Sequence, residues 1–378
     1  MVTASTQTIV ISGYYGFRNS GDEAVLKSIL TSLEEEGRAT GVKIEPVVLS
    51  IDPEWTTRTY GVRSVHRMKL GEVRNAIKNS DGLISGGGSL LQDATGAKSI
   101  PYYLGVIKLA QWMRKPTFIY AQGIGPVNRQ LYHRMIASVF RRCKYISVRD
   151  VESAELLHSM GIQSDNIQVV PDPVMGLELP KSSEDSLRQE LSAGGLPMIG
   201  VSVRHWNPER TELIELAEGL RLLSLRTPVH IRFLPFYFPG DDEASRYMMK
   251  LIGDVKGNGS RVSIASEMEH PQDMLREVSR CSLLIGMRLH SLIYAASQNV
   301  PMLGISYDPK IDHFLGRIGS IPVGTSQEVD PQNIVQQGEH LLVEGEAWRA
   351  AHATQIAELK AESRIPARSI IEYLRSKG

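Results

Sequence analysis

The chain has 378 residues, enough for two domains or one large one. Its 42% apolar and 22% charged residues exclude disordered and fibrous classes. The 42 basic residues balance 42 acidic ones, which argues against a global electrostatic hold on nucleic acid. The two cysteines, Cys143 and Cys281, are too few for a disulfide framework or a thiolate zinc site. They read as small buried apolar residues. The start, Met1–Gln7, lacks the basic and apolar regions of a signal peptide, and no run approaches the roughly 18 apolar residues of a spanning helix. A cytoplasmic protein is expected, with peripheral contact at the inner face of the membrane as a further expectation.

Chain order predicts a strand at Thr8–Ser12, a glycine-punctuated loop at Gly13–Gly21, and a helix from about Asp22 to Glu36. Val25, Leu26, Ile29, Leu30 and Leu33 fall at helical spacing, and Ser20 and Glu23 have the spacing of a capping box. Further strands are expected at Ile44–Ser50, Gly82–Ser85, Thr117–Ala121, Tyr145–Val148 and Ile167–Val170, with helical patterns between them. The second half starts again, with strands at Met198–Val203, near Val229–Leu234 and Arg261–Ile264, and at Ser282–Gly286. Helices are expected at about Pro208–Leu223 and Gln272–Arg280. Short apolar strands alternating with helices mean parallel sheets covered on both faces.

The halves match in arrangement but not in residue identity. Asn79–Gly88 and Ser279–His290 share one order of helix end, strand and loop, as do Lys115–Pro126 and Val300–Pro309. The predicted fold is therefore α/β, with two Rossmann-like doubly wound domains facing a cleft. The expected domains are residues 1–176, residues 177–325, and a helical segment at 326–378 packing back on the first domain. Ligands of such sheets sit beyond the carboxyl ends of strands.

Four sets of loops leave those ends. Gly13-Tyr14-Tyr15-Gly16-Phe17-Arg18-Asn19-Ser20-Gly21-Asp22-Glu23 opens a helix but is neither a dinucleotide fingerprint nor a P-loop. Asp22 and Glu23 already occupy the helix start, so the loop suits hydroxyls or amides better than phosphate. It equally fits a tight, well-capped turn. Gly86, Gly87 and Gly88 let backbone N–H groups approach a ligand, and Asp93 beyond them is a candidate base. The plain alternative is a crossover turn needing positive φ. Gln122-Gly-Ile-Gly125-Pro126 is a similar strand-end loop.

In the second half, Arg288 and His290 follow a strand and, if extended, point to one side. Arg204, with His205 beside it, and Lys310 leave matched strand ends. Together they form a candidate anion site for phosphate and carboxylate. No clustered metal-ligand spacing and no hydrolase elbow is present, so no metal and no cofactor is expected. Arg58, Arg63, Arg67, Lys69, Arg74 and Lys78 face only Glu72 between Thr56 and Ser80. That stretch is ordinarily a solvated face, and otherwise a contact for phosphates or an anionic membrane.

These loops in order, with Ser147-Val-Arg149-Asp150, Asp172-Pro173, Gly286-Met-Arg288-Leu-His290-Ser291 and Tyr307…Lys310, resemble the polysaccharide pyruvyl transferase family. The resemblance runs from about residue 8 to 316 and is strongest to the CsaB-type enzymes of cell-wall polymer synthesis. It implies a GT-B-like fold and a phosphoenolpyruvate donor. It also implies a lipid-linked acceptor containing N-acetylmannosamine and a 4,6-linked pyruvate ketal that anchors S-layer proteins. It carries over Arg204, Arg288 and His290 as donor residues, with Lys310 added by its charge. Charge placement assigns the donor to the second half and the acceptor to the first. Gly13, Tyr14, Asn19, Asp22, Gly86, Gly87, Gly88 and Gln122 are then acceptor residues, and Asp22 or Asp93 the base. Competing readings are a GT-B glycosyltransferase using a nucleotide sugar and a non-catalytic anionic-sugar binding protein.

Overall fold

In the computed structural model, which describes residues 5–93, 99–180 and 195–377, the chain divides into two units. The first holds Met1–Leu177 and Leu359–Gly378, and the second Glu178–Glu358. The first unit's sheet has β1 (Ser5–Ser12), β2 (Val42–Ser50), β3 (Arg63–His66), β4 (Gly82–Ser85), β6 (Thr117–Ile124), β7 (Tyr145–Val148) and β8 (Gln168–Val169). They lie in the order β3-β2-β1-β4-β6-β7-β8, while the short β5 (Gly88–Leu91) pairs with β6. All described pairings are parallel, and every residue of β4 and β6 is buried, as expected of strands covered on both faces.

The first helix runs over Ser20–Thr40, longer at both ends than its apolar spacing predicts. Asn19 caps it, accepting from Gly21 N–H at 3.1 Å, and Gly41 ends it at φ 76°. The expected capping box of Ser20 and Glu23 does not form. Glu23 reaches past the helix start to the N–H groups of Gly16 and Arg18 instead.

The second unit repeats the topology. β9 (Met198–Ser202), β10 (His230–Phe233), β11 (Arg261–Ile264), β12 (Leu283–Gly286), β13 (Met302–Ser306) and β14 (Gly324–Thr325) lie in the order β11-β10-β9-β12-β13-β14. Strand order reverses between β1 and β4 in one sheet and between β9 and β12 in the other. Open parallel sheets take ligands at such switch points.

Helix Pro331–Val343 packs on helix Thr211–Arg226, where a Cβ on Gly219 would stand 2.9 Å from the Ile334 side chain. The chain returns to the first unit within helix Gly345–Glu362. Helix Ile365–Arg375 then lies against helix Ser20–Thr40, flanked by ion pairs from Arg364 to Glu35 (3.2 Å) and from Arg368 to Glu36 (3.5 Å). Among the described residues no helix is long and apolar enough to cross a membrane.

Candidate active site

β9 and β12 run side by side to Ser202 and Gly286, so the residues that follow them emerge together. Arg204 leaves β9 and donates from Nη1 to the Tyr307 hydroxyl at 3.0 Å. Its guanidinium lies 5.2 Å from the Trp206 ring and 5.1 Å from the Tyr307 ring, which are themselves 4.4 Å apart. The Nε of Arg204 and Nδ1 of His205 are buried without a protein partner among the described residues. Burial, reinforced by the charge of Arg210, lowers the pKa of His205 and so favours its neutral form.

Arg288 and His290 are not on an extended segment. β12 stops at Gly286, Arg288 is the N-cap of helix Leu289–Ser297, and His290 sits in its first turn. The strand-alternation argument for their pairing therefore fails. Leu289, Leu292, Ile293 and Ala296 carry the helical period, and helix geometry sets the spacing of the two side chains. Both are half-buried at the start of a helix, where the dipole favours an anion.

Sequence reasoning missed the carboxylate that holds Arg288. Arg288 donates from Nε to Asp241 at 3.0 Å and from Nη2 to the other Asp241 oxygen. Asp241 is 1% exposed and also accepts from the N–H groups of Phe236 (3.2 Å) and Tyr237 (3.0 Å). Burial pushes its pKa up, opposed first by Arg288 and also by Arg204. Arg288 is thus held by Asp241, while Arg204, which leaves the neighbouring strand end, is held by Tyr307 and acts on Asp241 only through its charge. The signal in the sequence was Pro239-Gly240-Asp241-Asp242-Glu243, a helix start with three acids in its first turn.

Lys310 stands in the first turn of helix Pro309–Arg317, on the next strand end. Its Nζ is 3.5 Å from Asp308, whose other oxygen caps the Lys310 N–H at 3.1 Å.

In the first unit the glycine loops meet around Tyr15. A Cβ on Gly13 would stand 2.2 Å from the Tyr15 ring, and one on Gly86 2.1 Å from its hydroxyl. Gly86 is therefore glycine for packing, and its N–H donates to Ser12 O at 2.7 Å rather than toward a ligand. Gly87 packs on Val25, and Gly88 has φ +90°, as the crossover-turn reading required. Tyr14 stacks on Phe17 at 3.9 Å. Asp22 is half-buried, its Oδ1 3.1 Å from where a Cβ on Gly88 would stand, so the first loop's carboxylate lies beside the glycine loop.

Glu23 is buried, accepting from Gly16 N–H (2.9 Å), Arg18 N–H (3.3 Å) and the Tyr60 hydroxyl (2.8 Å). Desolvation raises its pKa to about 7 against those three bonds. Asp93 is no candidate base on this geometry. Its oxygens accept from Asn128 N–H, Asn128 Nδ2 and Arg129 N–H, and these bonds hold its carboxyl below the usual range. Gln122 is fully buried in β6, with neither amide atom bonded to protein among the described residues.

Arg67 does not belong to the solvated basic face expected of this stretch. It is 7% exposed and donates to Gly13 O (2.8 Å) and the Tyr103 hydroxyl (3.1 Å), with its guanidinium 4.5 Å from the Tyr102 ring. Part of the stretch is also the edge strand β3, whose basic residues hide its period. Arg63, Lys69, Arg74 and Lys78 do face solvent, with Lys69 paired to Glu72 at 3.0 Å. Arg149 is enclosed by Asp172 (3.4 Å), Asp150 (3.6 Å) and Ser89 (2.7 Å).

Two parallel sheets, each with charged or polar loops at its switch point, define a GT-B-like α/β protein. Residues 19–309 match the family model for polysaccharide pyruvyl transferases, and the chain belongs to that family. It is 21% identical over 262 residues to the amylovoran biosynthesis protein AmsJ of Erwinia amylovora. That match covers 64% of this chain and 60% of the length of AmsJ. Among solved structures, a putative UDP-N-acetylglucosamine 2-epimerase from Listeria monocytogenes superposes with a TM-score of 0.68 at 13% identity. The match covers 99% of this chain and 97% of that one. UDP-GlcNAc 2-epimerase from Neisseria meningitidis gives 0.65 at 12% identity, covering 99% and 100%. Anabaena HepE in complex with UDP-glucose gives 0.58 at 12%, covering 98% and 100%. At these identities the likeness concerns the fold alone.

Proposed function

We propose that the chain transfers the pyruvyl group of phosphoenolpyruvate to two hydroxyls of one sugar, releasing phosphate and leaving a cyclic ketal. The observation that carries this reading is that Arg204 and Arg288 leave the adjacent strands β9 and β12 at the switch point of the second sheet, one held by Tyr307 and the other by Asp241, in a chain of this family. The donor is a compact trianion at neutral pH, and two guanidinium groups beside a helix start suit its phosphate and carboxylate.

Protonation of donor C3 makes C2 an oxocarbenium-like electrophile. One sugar hydroxyl attacks C2 and gives its proton to the base, which makes up for the proton delivered to C3. The C2–O bond to phosphate breaks, and the second hydroxyl closes the ketal as its proton leaves with the phosphate. Arg204 and Arg288 stabilise the charge that grows on the leaving phosphate, with Lys310 as a third cation. His290, in the first turn beside Arg288, is the proton donor to C3. Asp22, beside the glycine loop, is the acceptor base. No cofactor enters this scheme.

The finer reading takes a lipid-linked precursor containing N-acetylmannosamine as acceptor, the 4,6-ketal as product, and S-layer anchoring as its use. It places the protein in the cytoplasm, at the inner face of the membrane. Exposed Met68 and Leu70, set among Arg63, Lys69 and Arg74, support contact with an anionic surface. A thermal-shift comparison tests the donor. Phosphoenolpyruvate, and not uridine diphosphate or its sugars, stabilises the fold on this reading. The reverse pattern favours a glycosyltransferase. Binding without phosphate release for any acceptor favours a binding protein.

A further inference from the structure

Three of the buried polar side chains without a protein partner among the described residues are strand residues at the carboxyl edge of the first sheet, near Tyr15, whose hydroxyl is likewise unpaired. Ser12 and Ser85 are 2% and 1% exposed and Gln122 is fully buried, yet neither serine Oγ nor either Gln122 amide atom is hydrogen-bonded. Buried polar groups are almost always paired, so three orphans at one strand edge need a cause.

The sheet register puts them on one face. Ser12 pairs with Ser85, and Ser85 with Ile119. From Ile119 to Gln122 β6 advances three residues while β7 advances two, from Ile146 to Val148. The extra residue is a bulge, and Ala121 within it takes φ 44°. A regular strand would turn Gln122 to the opposite face, and the bulge returns it to the face of Ile119. On that face Val10, Leu83, Ile119 and Ile146 join the apolar cluster that includes Tyr103 and Ile107 of helix Ser99–Trp112. The core ladder thus turns polar where a ligand of this fold class would sit, beside the loop that Arg67 holds at Gly13.

We propose that Ser12, Ser85 and Gln122 form the recognition face for the acceptor sugar. The carboxamide presents a donor and an acceptor side by side. That matches a sugar edge carrying both, either a vicinal diol or a hydroxyl next to an acetamido group. The inference rests on the reading that the first unit takes the acceptor.

The test uses the full chain with methyl N-acetyl-α-mannosaminide and methyl α-mannoside as probes, and Gln122→Met and Ser85→Ala as variants. Binding of each glycoside is titrated without donor, and phosphate release is followed with it. Both variants should melt no lower than the parent, since each removes an unpaired buried group. Both should keep the phosphoenolpyruvate-induced shift while glycoside affinity falls at least tenfold. Loss for the N-acetylated glycoside alone assigns the acetamido group, and loss for both assigns the diol. Unchanged glycoside affinity in both variants overturns the proposal, as does a parent that binds neither glycoside. A parent that binds glycoside but releases no phosphate sinks the transferase reading instead, and the variants still decide this one.

Discussion

Arg288 and Asp241, 47 residues apart in sequence, grip each other through two parallel hydrogen bonds, one of them 3.0 Å from Nε. The carboxylate is itself fixed by two backbone N–H groups, so the guanidinium is held in one plane at the helix start. Arg288→Ala should lower kcat/KM for phosphoenolpyruvate by two orders of magnitude or more, since losing a contact to a buried anion costs about 2–5 kcal/mol. Arg288→Lys should fail similarly, because one ammonium cannot span both Asp241 oxygens and a ligand. Asp241→Asn should cost a smaller factor, of order 10–100, with acceptor KM unchanged, as expected for a residue acting through another. Steady-state kinetics with both substrates varied separates these cases. Near-normal donor kinetics in Arg288→Lys would remove Arg288 from the mechanism.

Tyr307→Phe keeps the ring under Arg204 and removes only the hydroxyl bonded at 3.0 Å. One such bond is worth about 1 kcal/mol, so a donor KM raised roughly fivefold is expected. Tyr307→Ala, which also removes the ring contact, should be several times worse. Equal donor KM in the two variants would assign the whole effect to the hydroxyl.

Glu23 makes stability depend on pH. Burial pushes its carboxyl up to about 7 in the folded protein, from the ordinary 4.5 of an exposed glutamate. Between those values the folded form binds more protons, so stability falls as pH rises from about 4.5 to 7, by of order 3 kcal/mol. Glu23→Gln retains an acceptor for Gly16 and Arg18 but cannot ionise. Urea unfolding across that window should lose this slope in the variant. An unchanged slope would mean that other groups set it.

Gly86→Ala should destabilise by about 1–3 kcal/mol, since its methyl would meet the Tyr15 hydroxyl at 2.1 Å inside a full core. Tyr15→Phe removes that oxygen, so the double variant should regain part of the loss. Strict additivity in denaturant melts would show that the two groups do not meet.

The basic stretch holds both exposed and buried cations. Arg63→Gln with Lys69→Gln should weaken sedimentation with vesicles of 30% phosphatidylserine and leave the melting temperature unchanged, because both side chains face solvent. Arg67→Gln should lower the melting temperature, because it frees Gly13 O and Tyr103 from a buried donor. Equal vesicle binding by the double variant and the parent would rule out this face as the membrane contact.

The two sheets were legible because their strands are short apolar runs between helices, and Gly82–Ser85, Tyr145–Val148 and Arg261–Ile264 fall where the periodicity put them. β3 was not, since Arg63-Ser-Val-His is an edge strand whose exposed positions are polar or charged. β5 was hidden by Gly86–Gly88, which read as loop although Gly88 begins a strand. At the site, the arginines after β9 and β12 could be read from strand-end position. Asp241 could not, because its partner is remote in sequence and only the sheet order brings the two together. Gln122 was legible as a strand-end residue, but its inward face depends on a one-residue bulge that no local pattern announces.

The central claim is pyruvyl transfer from phosphoenolpyruvate to a sugar, and mass spectrometry of the acceptor tests it most directly. The full chain is incubated with phosphoenolpyruvate and a lipid-linked or synthetic disaccharide containing N-acetylmannosamine, and phosphate is assayed in parallel. The account predicts an acceptor heavier by one pyruvate less one water, with one phosphate released per product, and neither signal in Arg288→Ala. Phosphate release without any mass gain, or an acceptor heavier by a hexose when a nucleotide sugar is supplied instead, would contradict it.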